Sequence, residues 1–405
     1  MDSLTHVSPW RIDAYRRLWL STVIISLAVQ AERLVFGWLV LIETDSVFLT
    51  AATFAIQKAP ISLVAPIAGA ICDRIPRKRI LILTAVFRAL IMILMALLTF
   101  GGLEQLWLFF VLVALSGIGP TFEVPATQGL ITDIVDPQMS MRAVALQSTG
   151  SRAVGALGSL VGGLAIASFG VTAALAFAGI VFLIGAGLVT TLPTSKTSQI
   201  VSDKIDLGIV LEAVKGLNLL LRLPIVRTIL LMAFIVEMFA FAYNAVLPSV
   251  ARDVLKVEAD GLGTLSLMTG LGGVIGVAIL ATIGQFSRKG PLLIGVTTAY
   301  GAILIAFALS ELFPLSLILV MGIGSMAAMF DALQWTLLQQ HVPDEMRGRA
   351  IGSWMFAIGF GWIGQLMLGA VAEATTVQWA LSGTGLLVVL TGFVVFVRSP
   401  NLRLA

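Results

Sequence analysis

The 405-residue sequence predicts an all-α polytopic membrane protein of twelve transmembrane helices, arranged as two pseudo-symmetric six-helix bundles. Three observations carry that expectation: the composition, a series of long apolar runs, and an internal repeat. Hydrophobic residues make up 58% of the chain and charged residues only 12%, with a mean hydropathy of +1.02. Soluble domains carry about 25% charged residues, so too few charges are present to cover a water-exposed surface. The same balance excludes disorder. A single cysteine, Cys72, excludes a disulfide scaffold.

A helix needs about 20 mostly apolar residues to cross roughly 30 Å of hydrocarbon. Runs of that kind occupy 18–43, 49–72, 80–100, 105–127, 142–168 and 171–192. Six more occupy 225–249, 260–285, 291–310, 314–338, 347–372 and 377–397. They are continuous, unlike the alternating strands of a membrane barrel. The first is too long for a cleavable signal peptide and lacks a small-residue cleavage site.

Nineteen of the 25 Lys and Arg residues fall in loops on the side of the two termini, and only Arg252 and Lys256 in loops on the other side. Positive-inside bias therefore predicts cytoplasmic termini, in a bacterial inner membrane. Residues 193–224 are the longest polar break. They divide an N-terminal bundle, 1–192, from a C-terminal bundle, 225–405. The spacing of Ile205, Ile209, Val214, Leu217 and Leu221 predicts a short amphipathic helix on the membrane surface. A plain tether is the simpler alternative.

The two halves repeat. Ile134–Ala143, with Asp136, Pro137, Met141 and Arg142, resembles His341–Ala350, with Pro343, Asp344, Met346 and Arg347. The basic loop Asp73–Arg79 corresponds to Gly284–Gly290. An offset of roughly 207–211 residues points to duplication, which suits alternating access about a midplane site.

At Gly69-Ala70-Ile71-Cys72-Asp73-Arg74-Ile75-Pro76-Arg77-Lys78-Arg79 the sequence resembles motif A of the major facilitator superfamily. Pro125-Ala126-Thr127-Gln128, Asp133-Ile134-Val135 and Val342–Arg349 resemble its macrolide-efflux and enterobactin-exporter branch. That branch consists mostly of proton-driven exporters of drugs or siderophores. The span 5 segment Gly158-Ser159-Leu160-Val161-Gly162-Gly163 has serine where superfamily antiporters often have proline.

Ionisable groups inside spans are costly and default to functional hypotheses. Glu32 and Glu237 lie near the middle of the equivalent spans 1 and 7 and are the candidates for proton coupling. The alternative is a static pair, such as Glu32 with Arg88 or Arg152, the two arginines too deep to reach water easily. Lys58 is expected to snorkel outward. The resemblance implies that spans 1, 4, 7 and 10 line the substrate cavity. Its candidate lining is Arg33, Gln30, Ser26, Phe241, Asn244, Trp335, Trp354 and Phe360. Glu237, Phe241, Asn244 and Pro248 would share one face of a continuous span 7. The resemblance further implies a cytoplasmic gate of Gly69, Asp73, Arg74, Arg77, Lys78, Glu123, Asp331 and Arg288. In it Glu123 would pair with Arg77, Asp331 with Arg288, and Asp73 would sit at the start of span 11. The small residues of span 5 are expected to pack at the seam between halves.

His6 and His341 are the only histidines, and no Gly-rich Lys-Ser/Thr phosphate loop occurs. No enzyme chemistry, metal or cofactor is expected, nor nucleic-acid binding. The expected partners are a small-molecule substrate, protons and the lipid bilayer, with the chain acting as a monomer. The sequence thus predicts a proton-coupled secondary transporter exporting amphipathic small molecules. An uptake symporter for a small metabolite and a non-transporting sensor of the same fold stay open.

Overall fold

The computed structural model describes residues 8–102, 105–193, 222–283, 288–342, 354 and 358–404, apart from the side chains of 63, 65–70, 73 and 283. The amphipathic helix expected within 193–224 lies outside the described residues, as does nearly all of the second-half repeat 341–350.

Every backbone N–H and C=O inside a bilayer must be satisfied internally, and the chain meets that demand with helices alone among the described residues. The first half comprises α1 (Asp13–Thr44), α2 (Val47–Arg74), α3 (Arg77–Phe100), α4 (Leu106–Ser116), α5 (Gly119–Ile134) and α6 (Pro137–Thr190). The second comprises α7 (Pro224–Phe239), α8 (Tyr243–Ser249), α9 (Ala259–Ile283), α10 (Lys289–Ala308), α11 (Phe313–His341), α12 (Gly361–Ala374), α13 (Val377–Arg398) and α14 (Pro400–Leu404). Nine segments among the described residues are long and apolar enough to cross a membrane. One of them, α6, holds two spans, because Gly170 turns the chain at φ 82, where a side chain would be strained. With α2 and the 14-residue α12, the described residues hold helix at all twelve span positions expected from the sequence.

Helix ends follow the sequence. Pro76 precedes α3, Pro137 opens α6, Pro224 opens α7, and Pro314 lies in the first turn of α11. Proline is tolerated there because the first N–H groups of a helix have no intrahelical partner.

The duplication is visible in which spans touch within each half. Span 1 meets span 5 where Gly158 and Gly162 of α6 abut Leu27 and Ala31, and span 7 meets span 11 where Gly364 abuts Met238. Span 2 meets span 4 at Cys72, whose thiol lies 3.8 Å from the Phe122 carbonyl. Span 8 meets span 10 where Gly272 and Gly276 abut Met321 and Ser325. Span 3 meets span 6 at Gly179, against Ala89 and Met92, and span 9 meets span 12 at Gly301, against Gly385. Glycines bring these backbones close enough for dispersion contacts, the main attraction between helices in lipid. Gly155, Gly158 and Gly162 of span 5 thus pack on span 1 of their own half.

The chain divides into two compact units, Met1–Phe36 with Leu63–Ile205, and Gly37–Ser62 with Asp206–Ala405. The end of α1, the turn at Asp45 and the start of α2 thus pack with helices of the second half. In this second unit Glu373 accepts from Ser46 Oγ (3.1 Å) and from Phe48 N–H (3.0 Å). A carboxylate is favoured at such a helix N-terminus. Arg252 pairs with Asp45 and Asp253, each at 2.6 Å, and donates to the Leu41 carbonyl at 3.0 Å.

Span 7 is not the continuous helix its periodicity predicts. The α-helix stops at Phe239, Phe241 N–H reaches back to Val236, and the chain resumes as α8 before a π-turn at Val250–Val254. Pro248 removes one further rung, since it has no N–H to offer. Of the four residues expected on one continuous helix, Glu237 lies on α7, Asn244 and Pro248 on α8, and Phe241 in the break between them.

Candidate functional site

In the first unit a charge cluster is built from three spans. Glu32 of α1 is fully buried and pairs with Arg88 of α3, itself 1% exposed. Ser116, the last residue of α4, donates to the other Glu32 oxygen. Arg88 also reaches Glu123 of α5 at 3.3 Å, and its guanidinium lies over the Phe182 ring, 4.5 Å from the centroid. Gly119 makes the space: a Cβ there would stand 2.7 Å from Arg88 Cδ. Of the alternatives open for Glu32, the structure brings it together with Arg88. Arg152 is exposed and makes no ion pair among the described residues, which corrects its expected burial.

Glu123 does not meet Arg77. Arg77 begins α3, whereas Glu123 lies eleven residues before the end of α5, about 16 Å along the axis. Arg77 bonds instead to Asp133 (2.6 Å) and the Gly129 carbonyl (2.9 Å), nearer that end of α5. Lys78 donates to the carbonyls of Thr190 (2.8 Å) and Leu192, closing the end of α6. A cation suits a helix C-terminus, where unpaired carbonyls collect partial negative charge. Arg74 is exposed at the end of α2, and the side chains of Gly69 and Asp73 lie outside the described residues.

The other predicted residues of α1 sit as follows. Arg33 is exposed, with Nη1 3.4 Å from Gln30 Oε1. Gln30 is half-buried, its stem near Gly155, and Ser26 Oγ is returned to the Thr22 carbonyl at 2.8 Å. Thr22 in turn accepts from Gln147 of α6.

The second unit holds a separate ion pair, Lys58 of α2 with Glu237 of α7. Lys58 therefore turns inward to a carboxylate rather than snorkelling, because an opposite charge at depth outweighs a long reach to water. Gly361 faces both groups. Phe241 packs edge-on against Tyr300 at 6.0 Å, and Asn244 Nδ2 donates to the Phe241 carbonyl at 3.2 Å. Trp335 and Trp354 form an edge-to-face pair at 5.1 Å. The indole N–H groups of Trp354 and Trp362 and Oε1 of Gln365 are buried without a hydrogen-bond partner among the described residues. Phe360 is half-buried just before α12. Asp331 accepts from Gln334 at 3.2 Å, and Arg288 is exposed in the residue preceding α10. Sequence reasoning missed Ser116, Phe182 and Gly361, which carry no signal of their own and matter through the charged residue each one touches, and it read Asp133 as part of a family motif without naming it as the partner of Arg77.

Buried charges held across several apolar helices in two halves that repeat are the pattern of a polytopic membrane transporter. The profile of the transmembrane secretion effector family matches residues 4–403, and the chain belongs to that family of the major facilitator superfamily. It is 23% identical over 348 residues to the MFS-type transporter YfiS of Bacillus subtilis, covering 84% of this chain and 81% of YfiS. It is 26% identical over 340 residues to the enterobactin exporter EntS of Shigella boydii, covering 80% of this chain and 77% of EntS. The fold matches crystal structures of the nucleoside transporter NupG and the peptide transporter POT, each with a TM-score of 0.76 and 12% identity. NupG is aligned over 95% of this chain and 99% of its own, and POT over 97% and 95%.

Proposed function

We propose that the protein is a proton-coupled transporter of the bacterial inner membrane, with cytoplasmic termini, exporting amphipathic small molecules by alternating access. The observation that carries this reading is the cluster in which two carboxylates, Glu32 and Glu123, share the one guanidinium of Arg88. Buried charges need matched partners, and of two acids reaching one guanidinium the one at 3.3 Å, Glu123, is the more weakly held. Such a site exchanges a proton with little rearrangement. The Lys58–Glu237 pair is charge-matched and serves as a second polar contact at depth.

Export is supported by the likeness to the enterobactin exporter. The Trp335–Trp354 pair, with an indole N–H still open, suits an aromatic solute that carries hydrogen-bond acceptors. The test is transport in inverted vesicles under an imposed proton gradient, with ethidium, erythromycin and enterobactin as probes. Gradient-dependent accumulation of one of them is expected. Accumulation that ignores the gradient would remove proton coupling.

A further inference from the structure

We propose that Glu123, rather than Glu32 or Glu237, binds and releases the coupled proton, and that Arg88 stays with Glu32 as a fixed pair. This assignment rests on the proton-coupled reading above and divides its site into a moving and a standing part.

The two acids are not held alike. Glu32 is 0% exposed, and both of its oxygens are engaged, one by Arg88 and one by Ser116 Oγ. Glu123 keeps only the longer Arg88 contact, 3.3 Å to Oε2. Its Oε1 is buried with no hydrogen-bond partner, while the side chain as a whole is 14% exposed. Thr84 Oγ1 on α3 lies within reach of the Glu123 carboxyl, but its one proton is directed to its own helix, at the Ile80 (2.9 Å) or Leu81 (3.2 Å) carbonyl. The groups facing Glu123 are thus Arg88 and Thr84 from α3 and Glu32 from α1, with Arg33 beyond it.

A buried carboxylate with one oxygen unpartnered carries a desolvation cost that neutralising its charge reduces. Adding H⁺ to Oε1 leaves Glu32 and Arg88 as a balanced pair, and losing it restores the shared guanidinium contact. Arg88 itself is fixed between the Phe182 ring and the Gly119 backbone, so Glu123 is the partner free to move. The chain gives it a joint on either side. The helix breaks at Gly117–Ile118 ahead of it, and Pro125 behind it leaves the Thr121 carbonyl without its helical donor. The family resemblance implies a gate role for Glu123 through a pair with Arg77, and Arg77 bonds to Asp133 instead.

Dicyclohexylcarbodiimide adds to protonated carboxyls in apolar surroundings and leaves a stable N-acylurea that peptide mass spectrometry locates. Full-length protein in liposomes is expected to be labelled at Glu123 in acidic buffer, less as the pH rises, and not at Glu32. The Glu123→Gln variant, which keeps the Glu32–Arg88 pair, is expected to lose the label without shifting it. Labelling of Glu32, or of neither residue at any pH, would overturn the assignment. Label on Glu123 without probe-driven proton movement would uphold the titrating residue and remove the coupled-transport reading. Proton movement with the label on Glu32 would do the reverse.

Discussion

Lys58 and Glu237 stand 179 residues apart in the sequence and meet as an ion pair, with the backbone of Gly361 against both. A Cβ at Gly361 would lie 2.6 Å from Lys58 Nζ and 2.8 Å from Glu237 Oε1. Gly361→Ala is therefore expected to part the pair and lower stability by about 1–3 kcal/mol, as overpacking does. Thermal unfolding in detergent measures it. An unchanged Tm would show that the pair yields freely.

The same pair predicts a double-mutant cycle. Lys58→Met leaves a carboxylate at depth without its cation, and loss of one partner of a buried pair costs about 3–5 kcal/mol. Adding Glu237→Gln is expected to recover more than half of that loss. Strict additivity of the two losses would mean that the residues do not interact.

Arg88 and Gly119 give a test of shape rather than charge. Gly119→Ala places a methyl group 2.7 Å from Arg88 Cδ, on a side chain held by two acids and a ring. Gly187, also helical, has no atom within 4 Å of the place a Cβ would take. Gly119→Ala is expected to lower Tm, and Gly187→Ala to leave it unchanged or raise it, by up to about 1 kcal/mol of helix propensity.

Lys78 makes a milder prediction. Lys78→Met removes the cation from the Thr190 and Leu192 carbonyls, worth about 0.3–1 kcal/mol at a helix end. Hydrogen exchange is expected to quicken over residues 187–193 and stay unchanged in α10. No change at the end of α6 would remove the capping role.

The spans are legible in the sequence because bilayer thickness imposes a length and a polarity that any run of residues either meets or fails. The ends of α1, α3 and α13 fall within a few residues of those expected. Charge partners are much less legible. The family resemblance pairs Arg77 with Glu123, but pairing depends on depth along two helices, and Asp133 lies closer. The glycines of span 5 announce a close contact without naming the helix that fills it, here α1. Periodicity likewise assumes an unbroken span 7, and the stop at Phe239 leaves no single-residue signature. Arg152 shows the same limit, since an arginine in an apolar run reads alike whether it faces protein or the outside.

Proton movement during transport tests the central claim most directly. Proteoliposomes with an acidic lumen and trapped pyranine would receive enterobactin or ethidium outside. Exchange predicts that the lumen turns alkaline as the probe enters, and that Glu123→Gln abolishes the change. Probe entry at the same rate with a constant lumenal pH would contradict it.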